Sequence, residues 1–115
     1  MSDGPELSEE DRKLITLARS ARARIGASDA AAVRDRSGRS YTSASVALPS
    51  LALSGLELAV AQAVSAGADG LEAAGVVTDG DPGGIDLSVV RDLGGSGLAV
   101  FVADAAGAVV AELIT

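Results

Sequence analysis

The chain has 115 residues, close to half of them apolar, a formal net charge of -7, and neither histidine nor cysteine. That is enough chain for one small core, and it leaves no imidazole or thiol for zinc binding, nucleophile activation or proton shuttling near neutral pH. Disulfides are excluded, and with one Tyr, one Phe and no Trp there is almost nothing on which a nucleic-acid base could stack.

Met1-Ser2-Asp3-Gly4-Pro5-Glu6 is acidic where a secretory signal is basic and then apolar. Residues 1–7 therefore read as a flexible tail, residues 8–115 as a single domain, and the cytoplasm as the expected address. Ser8 followed by Glu9, Glu10 and Asp11 is a capped, acidic helix start. Leu14, Leu17, Ala18, Ala21 and Ile25 then recur at helical spacing, and Gly26 suits the position after the end. Next, Ala30-Ala31-Ala32-Val33 and Ser40 to Val46 flank Arg36-Ser37-Gly38-Arg39, which predicts a hairpin around a glycine-containing turn.

Val46 to Val64 is the one stretch with the apolar length of a membrane span, but Pro49, Ser50, Ser54, Gly55, Glu57 and Gln62 interrupt it. It reads instead as a buried strand end followed by a core helix, apolar nearly all round from Leu53 to Ala66 and ended by Gly67 and Gly70. Leu71 to Thr78 reads as a strand and Asp79-Gly80-Asp81-Pro82-Gly83-Gly84 as a loop. A shorter helix follows with Leu87, Val90 and Leu93 on one face. Two last strands, Leu98 to Val102 and Val109 to Ala111, are joined through Asp104-Ala105-Ala106-Gly107. The order helix, two strands, helix, strand, helix, two strands predicts an α/β domain with a mixed sheet and helices on its faces.

All but one of the nine cationic residues lie between Arg12 and Arg39. Arg34, Arg36 and Arg39 make a candidate contact surface for a protein partner, whereas the acidic remainder should repel a nucleic-acid backbone. No hydrolase pattern stands out: a serine nucleophile lacks its histidine, no G-x-S-x-G elbow is present, and Lys13 lies on an expected solvated helix. Asp79-x-Asp81 with Asp86 lacks the closing Glu of a calcium loop and reads as a turn. The glycines at 80, 83 and 84 offer amides to an anion, but three nearby aspartates oppose a phosphate.

The run Ala31-Ala32-Val33-Arg34-Asp35-Arg36-Ser37-Gly38-Arg39-Ser40-Tyr41-Thr42 resembles the first hairpin of the small homotetrameric cytidine deaminases. Ala63-Val64-Ser65-Ala66-Gly67 is similar to the end of their central helix, Pro82 to Gly94 to their third helix, and Val100 to Leu113 to their closing strands. The resemblance begins at about Leu14 and is carried by the order and spacing of these blocks together. It implies a three-layer α-β-α fold with a mixed five-stranded sheet, and a homo-oligomer, dimer or tetramer, because family members complete each site across subunits.

Family members deaminate cytidine with a zinc-bound water, using a Cys-Ala-Glu triplet at the central helix and a Pro-Cys-x-x-Cys at the third. Counting back from Gly67 lays the triplet over Ser54-Gly55-Leu56, so Ser54 replaces a ligand and Leu56 the proton-transferring Glu. Counting back from Gly94 keeps Pro82 but puts Gly83 and Asp86 where the two cysteines stand. The sugar-binding Asn-x-Glu aligns with Ser45-Val46-Ala47, so both Ser45 and Ala47 depart from it, and the usual aromatic before the first strand aligns with Ala27. Glu57 is one residue past the expected acid, a turn of about 100° on a helix, and is expected to point away. Asp86 is expected in the first turn of its helix, and Ser54 near the start of its own.

The expectation is a pseudoenzyme without zinc, cofactor or catalytic residues, retained as an oligomeric interaction module. A nucleoside-like ligand in the vestigial pocket is the alternative reading, and a deaminase with a non-standard site a more distant one.

Overall fold

The computed structural model describes residues 7–115. The tail expected over 1–7 lies outside the described residues except for Leu7, which is half-buried against the cluster containing Ile15 and so belongs to the packed domain. Helix α1 (Glu9–Ile25) starts where the Asp11 amide donates to Ser8 Oγ at 3.1 Å, and stops at Gly26, whose φ of 66° suits a residue without a Cβ.

Strands β1 (Asp29–Asp35) and β2 (Ser40–Ala44) form the expected hairpin, with Ala32 opposite Thr42. Asp35 closes it from inside, 3 % exposed, accepting the Ser37 amide at 2.9 Å, the Arg39 amide at 3.0 Å and the Tyr41 hydroxyl at 2.8 Å. Burial pushes this carboxyl up, but the Tyr41 hydroxyl and the Arg39 and Ser37 amides outweigh it and hold the group below its ordinary range. The same bond to Asp35, with burial, pushes the Tyr41 phenol up.

The apolar run that follows departs from expectation. Instead of a buried strand end, β3 (Val46–Leu48) and β4 (Leu51–Leu53) make a second antiparallel hairpin around Pro49-Ser50. Leu48 and Leu51 are 59 % and 47 % exposed, so hydropathy overstated their burial. Helix α2 (Gly55–Ser65) then buries Leu56, Ala59, Val60 and Ala63. Strand β5 (Leu71–Thr78) is followed by a short 3-10 turn at Pro82–Gly84, helix α3 (Ser88–Gly94), and strands β6 (Ala99–Ala103) and β7 (Val109–Ile114).

The five main strands lie in the order β2-β1-β5-β6-β7, with β5 and β6 parallel and the other neighbours antiparallel. This is the mixed five-stranded sheet of the expected α-β-α fold. Alternation along β1 sends Ala30 to the α1 side and Ala31 and Val33 to the α2 side, so both faces are dry. Small residues bring the layers close: a Cβ on Gly75 would lie 3.0 Å from Ile15 Cδ1. Among the described residues, no helix is long and apolar enough to cross a membrane.

Candidate functional site

The start of α2 is fixed by three hydrogen bonds. The Glu57 amide donates to Ser54 Oγ at 3.0 Å, and Glu57 Oε1 accepts the Ser54 amide at 2.8 Å, a reciprocal capping box. The Gly55 amide donates to Asp29 Oδ1 at 2.7 Å, tying the helix to the first residue of β1. Two carboxylates therefore sit against the positive end of this helix. Gly55 is buried with no room to spare: a Cβ there would lie 2.6 Å from Ala30 Cα and 2.7 Å from the Ser43 carbonyl oxygen.

A cavity of about 500 Å³ separates this helix start from the segment leading into α3. Ser54, Leu56 and Asp86 all border it, so three of the four positions singled out in the sequence converge in space; Gly83 is not on its wall. Asp29, Glu57 and Asp81 add carboxylates, and Val76 and Ile85 add apolar surface. Leu56, 1 % exposed, is packed into the core with Val60, Val76 and Val90.

Two local expectations need correction. Glu57 does not turn away from the cavity, because closing the capping box folds its carboxylate back over the helix start. Asp86 is not in a first helical turn: the chain forms the separate 3-10 turn and enters α3 only at Ser88. Asp86 Oδ1 accepts the Ser88 hydroxyl at 2.6 Å and its amide at 2.9 Å. The Ser88 bonds, hydroxyl first, outweigh a smaller effect of burial and, with Arg91, hold the Asp86 carboxyl below its ordinary range.

Neither of the other pocket positions reaches this cavity. Ser45 lies just past β2, its Oγ 3.2 Å from Ser28 Oγ and its amide donating to the Asp29 carbonyl at 2.9 Å. Ala47 is exposed on β3. The arginine surface also changes membership. Arg34 Nη2 meets Asp11 Oδ1 at 2.9 Å and its Nε meets Glu72 Oε1 at 2.8 Å, joining β1 to α1 and β5. Paired in this way and largely covered, Arg34 is withdrawn from the patch, leaving Arg36 and Arg39 exposed at the β1–β2 turn.

A family model described as cytidine deaminase-like matches residues 7–107. The chain belongs to the cytidine deaminase-like family. No curated protein matches it. Solved cytidine deaminases share the fold: that of Burkholderia pseudomallei is 24 % identical over 95 % of this chain and 92 % of that one, with a TM-score of 0.74. A mutant of the Mycobacterium tuberculosis enzyme is 26 % identical over 83 % of this chain and 85 % of that one, with a TM-score of 0.67. That of Mycobacterium leprae is 21 % identical over 78 % and 85 %, with a TM-score of 0.65.

Zinc, which the cytidine deaminase resemblance implies, does not fit the donors present. Ser54 Oγ is engaged by the helix, Leu56 and Gly83 offer no donor atom, and Asp86 already accepts two bonds from Ser88. A zinc site needs three or four convergent N, S or O ligands, and among the described residues no group of three or more Asp, Glu, His or Cys side chains is placed to hold a metal ion. Each carboxylate on the cavity wall already accepts a backbone amide: Asp29 that of Gly55, Glu57 that of Ser54, Asp81 that of Gly83 and Asp86 that of Ser88. Asp29 was missed in the sequence because its partner, Gly55, is distant in the chain. Ser54-x-x-Glu57, by contrast, is a capping-box signature in plain view.

Proposed function

We infer that this protein is a cytidine deaminase-like pseudoenzyme, without zinc-dependent deamination, that acts as an oligomeric interaction module. The observation that carries this reading is the state of position 56. Where the family places its proton-transferring carboxylate, a leucine is sealed in the core, and the neighbouring Glu57 is committed to capping the helix. With no histidine or cysteine in the chain, no other residue type supplies the missing thiolates.

The interaction role is supported by apolar surface that the isolated chain leaves open. Val64 on α2 is 55 % exposed and borders a groove of about 300 Å³ between α2 and α3, lined also by Ala61, Val89 and Leu93. Leu48 and Leu51 project from the second hairpin. Arg36 and Arg39 are the candidate contact for an acidic protein partner, and charge reversal at both should weaken its capture.

Native mass spectrometry of the purified protein tests the reading directly. A metal-free oligomer supports it, and a stoichiometric zinc adduct, or ammonia release from cytidine that chelator abolishes, overturns it. A second reading, a small-molecule binding domain, is favoured by the cavity itself, which has the volume of ordinary ligand sites. It predicts a thermal stabilisation by a nucleoside such as uridine that grows with its concentration.

A further inference from the structure

In the family resemblance, one metal ligand comes from the start of the central helix and two from the start of the third, so the ion ties these helices together. Here the two starts are parted by the cavity, and α2 is tied elsewhere. Its first amide is received by the Asp29 carboxylate at 2.7 Å, and its first residue, Gly55, rests on the backbone of β1 and β2. We propose that Asp29 has taken over the metal's task of anchoring the start of α2, and that the helix is seated too close to β1 for the family's metal geometry to be rebuilt by restoring its ligands.

The argument rests on backbone contacts. The family triplet carries an alanine in its middle, and an alanine at Gly55 would bring its Cβ to 2.6 Å from Ala30 Cα, 2.7 Å from the Ser43 carbonyl oxygen and 2.8 Å from the Ala31 amide nitrogen. All three are main-chain atoms of the sheet and cannot swing aside as a side chain does. The triplet therefore requires α2 to lift off the sheet, which would lengthen the Asp29 bond. Conversely, the bond holds the helix down. It is charge-assisted and short, lies at a helix N-terminus and is partly shielded, conditions that place it among the stronger hydrogen bonds of a small domain.

This inference rests on the reading that zinc chemistry has been lost, and the test separates the two. Thermal melts and amide exchange would be recorded for the unmodified protein, Asp29→Ala and Asp29→Asn, each with and without EDTA. Asp29→Ala should lower Tm by about 5 °C or more. It should also speed exchange of the amides of residues 55–57 more than tenfold beyond the change elsewhere. Asp29→Asn, which keeps an acceptor oxygen, should recover part of both effects, and EDTA should change nothing.

An Asp29→Ala melt within 1 °C of the unmodified protein, or exchange that rises equally everywhere, overturns the anchoring role. A fall in the Tm of the unmodified protein on adding EDTA overturns instead the loss of zinc. A cobalt titration of S54C/L56E/G83C/D86C tests the seating: no thiolate–cobalt absorption is expected from the folded variant. One tetrahedral cobalt per chain overturns it. If the variant does not fold, G55A decides, with a large loss of Tm expected and an unchanged Tm overturning the close seating.

Discussion

Replacing Arg34 by methionine removes one guanidinium that serves two carboxylates of very different exposure. The Asp11 side chain is 20 % exposed and the Glu72 side chain 44 %, while the Arg34 side chain is 16 % exposed. The shielded Arg34–Asp11 pair should contribute about 1–2 kcal/mol, and the Arg34–Glu72 pair, half in water, about 0.5 kcal/mol or less. Against this, Arg34 Nη1 is buried without a partner among the described residues, and removing it relieves a cost of about 1 kcal/mol. The net loss expected for Arg34→Met is thus about 0–1.5 kcal/mol, smaller than two ion pairs suggest. Urea unfolding of Arg34→Met, Asp11→Ala, Glu72→Ala and the two double mutants gives both coupling energies. Added salt should shrink the Glu72 coupling first. Equal couplings, or an Asp11 coupling below about 0.5 kcal/mol, would refute the claim that burial decides their worth.

Truncation of Leu56 to alanine should cost about 2–5 kcal/mol in the same assay, whereas Ile25→Ala at the exposed end of α1 should stay within about 0.5 kcal/mol. Because the folded-state value of the Asp35 carboxyl is depressed, its contribution is fully present above the unfolded value of about 3.9 and is lost as pH falls through the lower folded one. Tyr41→Phe should accordingly flatten the acid limb of a Tm-against-pH curve, and an unchanged limb would count against the Tyr41–Asp35 bond. Gly26→Ala, forced to a φ of 66°, should cost about 1 kcal/mol by thermal melting followed by circular dichroism.

Periodicity and punctuation made the frame legible. The Ser8 cap, the Gly26 stop and the alternation of β1 are local signals, and the structure keeps them. Where the sequence misled, the signal was real but belonged to something else. The apolar run from Val46 to Leu53 signals burial, yet a proline and a serine at its middle fold it back on itself in water. Arg34 groups with Arg36 and Arg39 along the chain, but strand alternation sends it to the other face from Val33, toward Asp11 and Glu72, which no local window contains. At the candidate site, counting residues brought three positions to one cavity. It could not show that Asp29 holds the helix there, because that contact is made only once β1 and α2 are packed.

The pairing of β1 with β5 also bears on how the molecule assembles in time. These two strands form the middle of the sheet, yet the second hairpin and all of α2 lie between them in the chain. The β1–β2 hairpin can form early from neighbours alone, but the sheet cannot widen from it until that long intervening loop has closed. The closing event must bring α2 down on β1 to bury Ala31 and Val33, so docking of the helix and recruitment of β5 become one step. Substitutions at the α2–β1 contact should therefore slow refolding, whereas changes in the β6–β7 pair, added afterwards at the far edge, should mainly quicken unfolding.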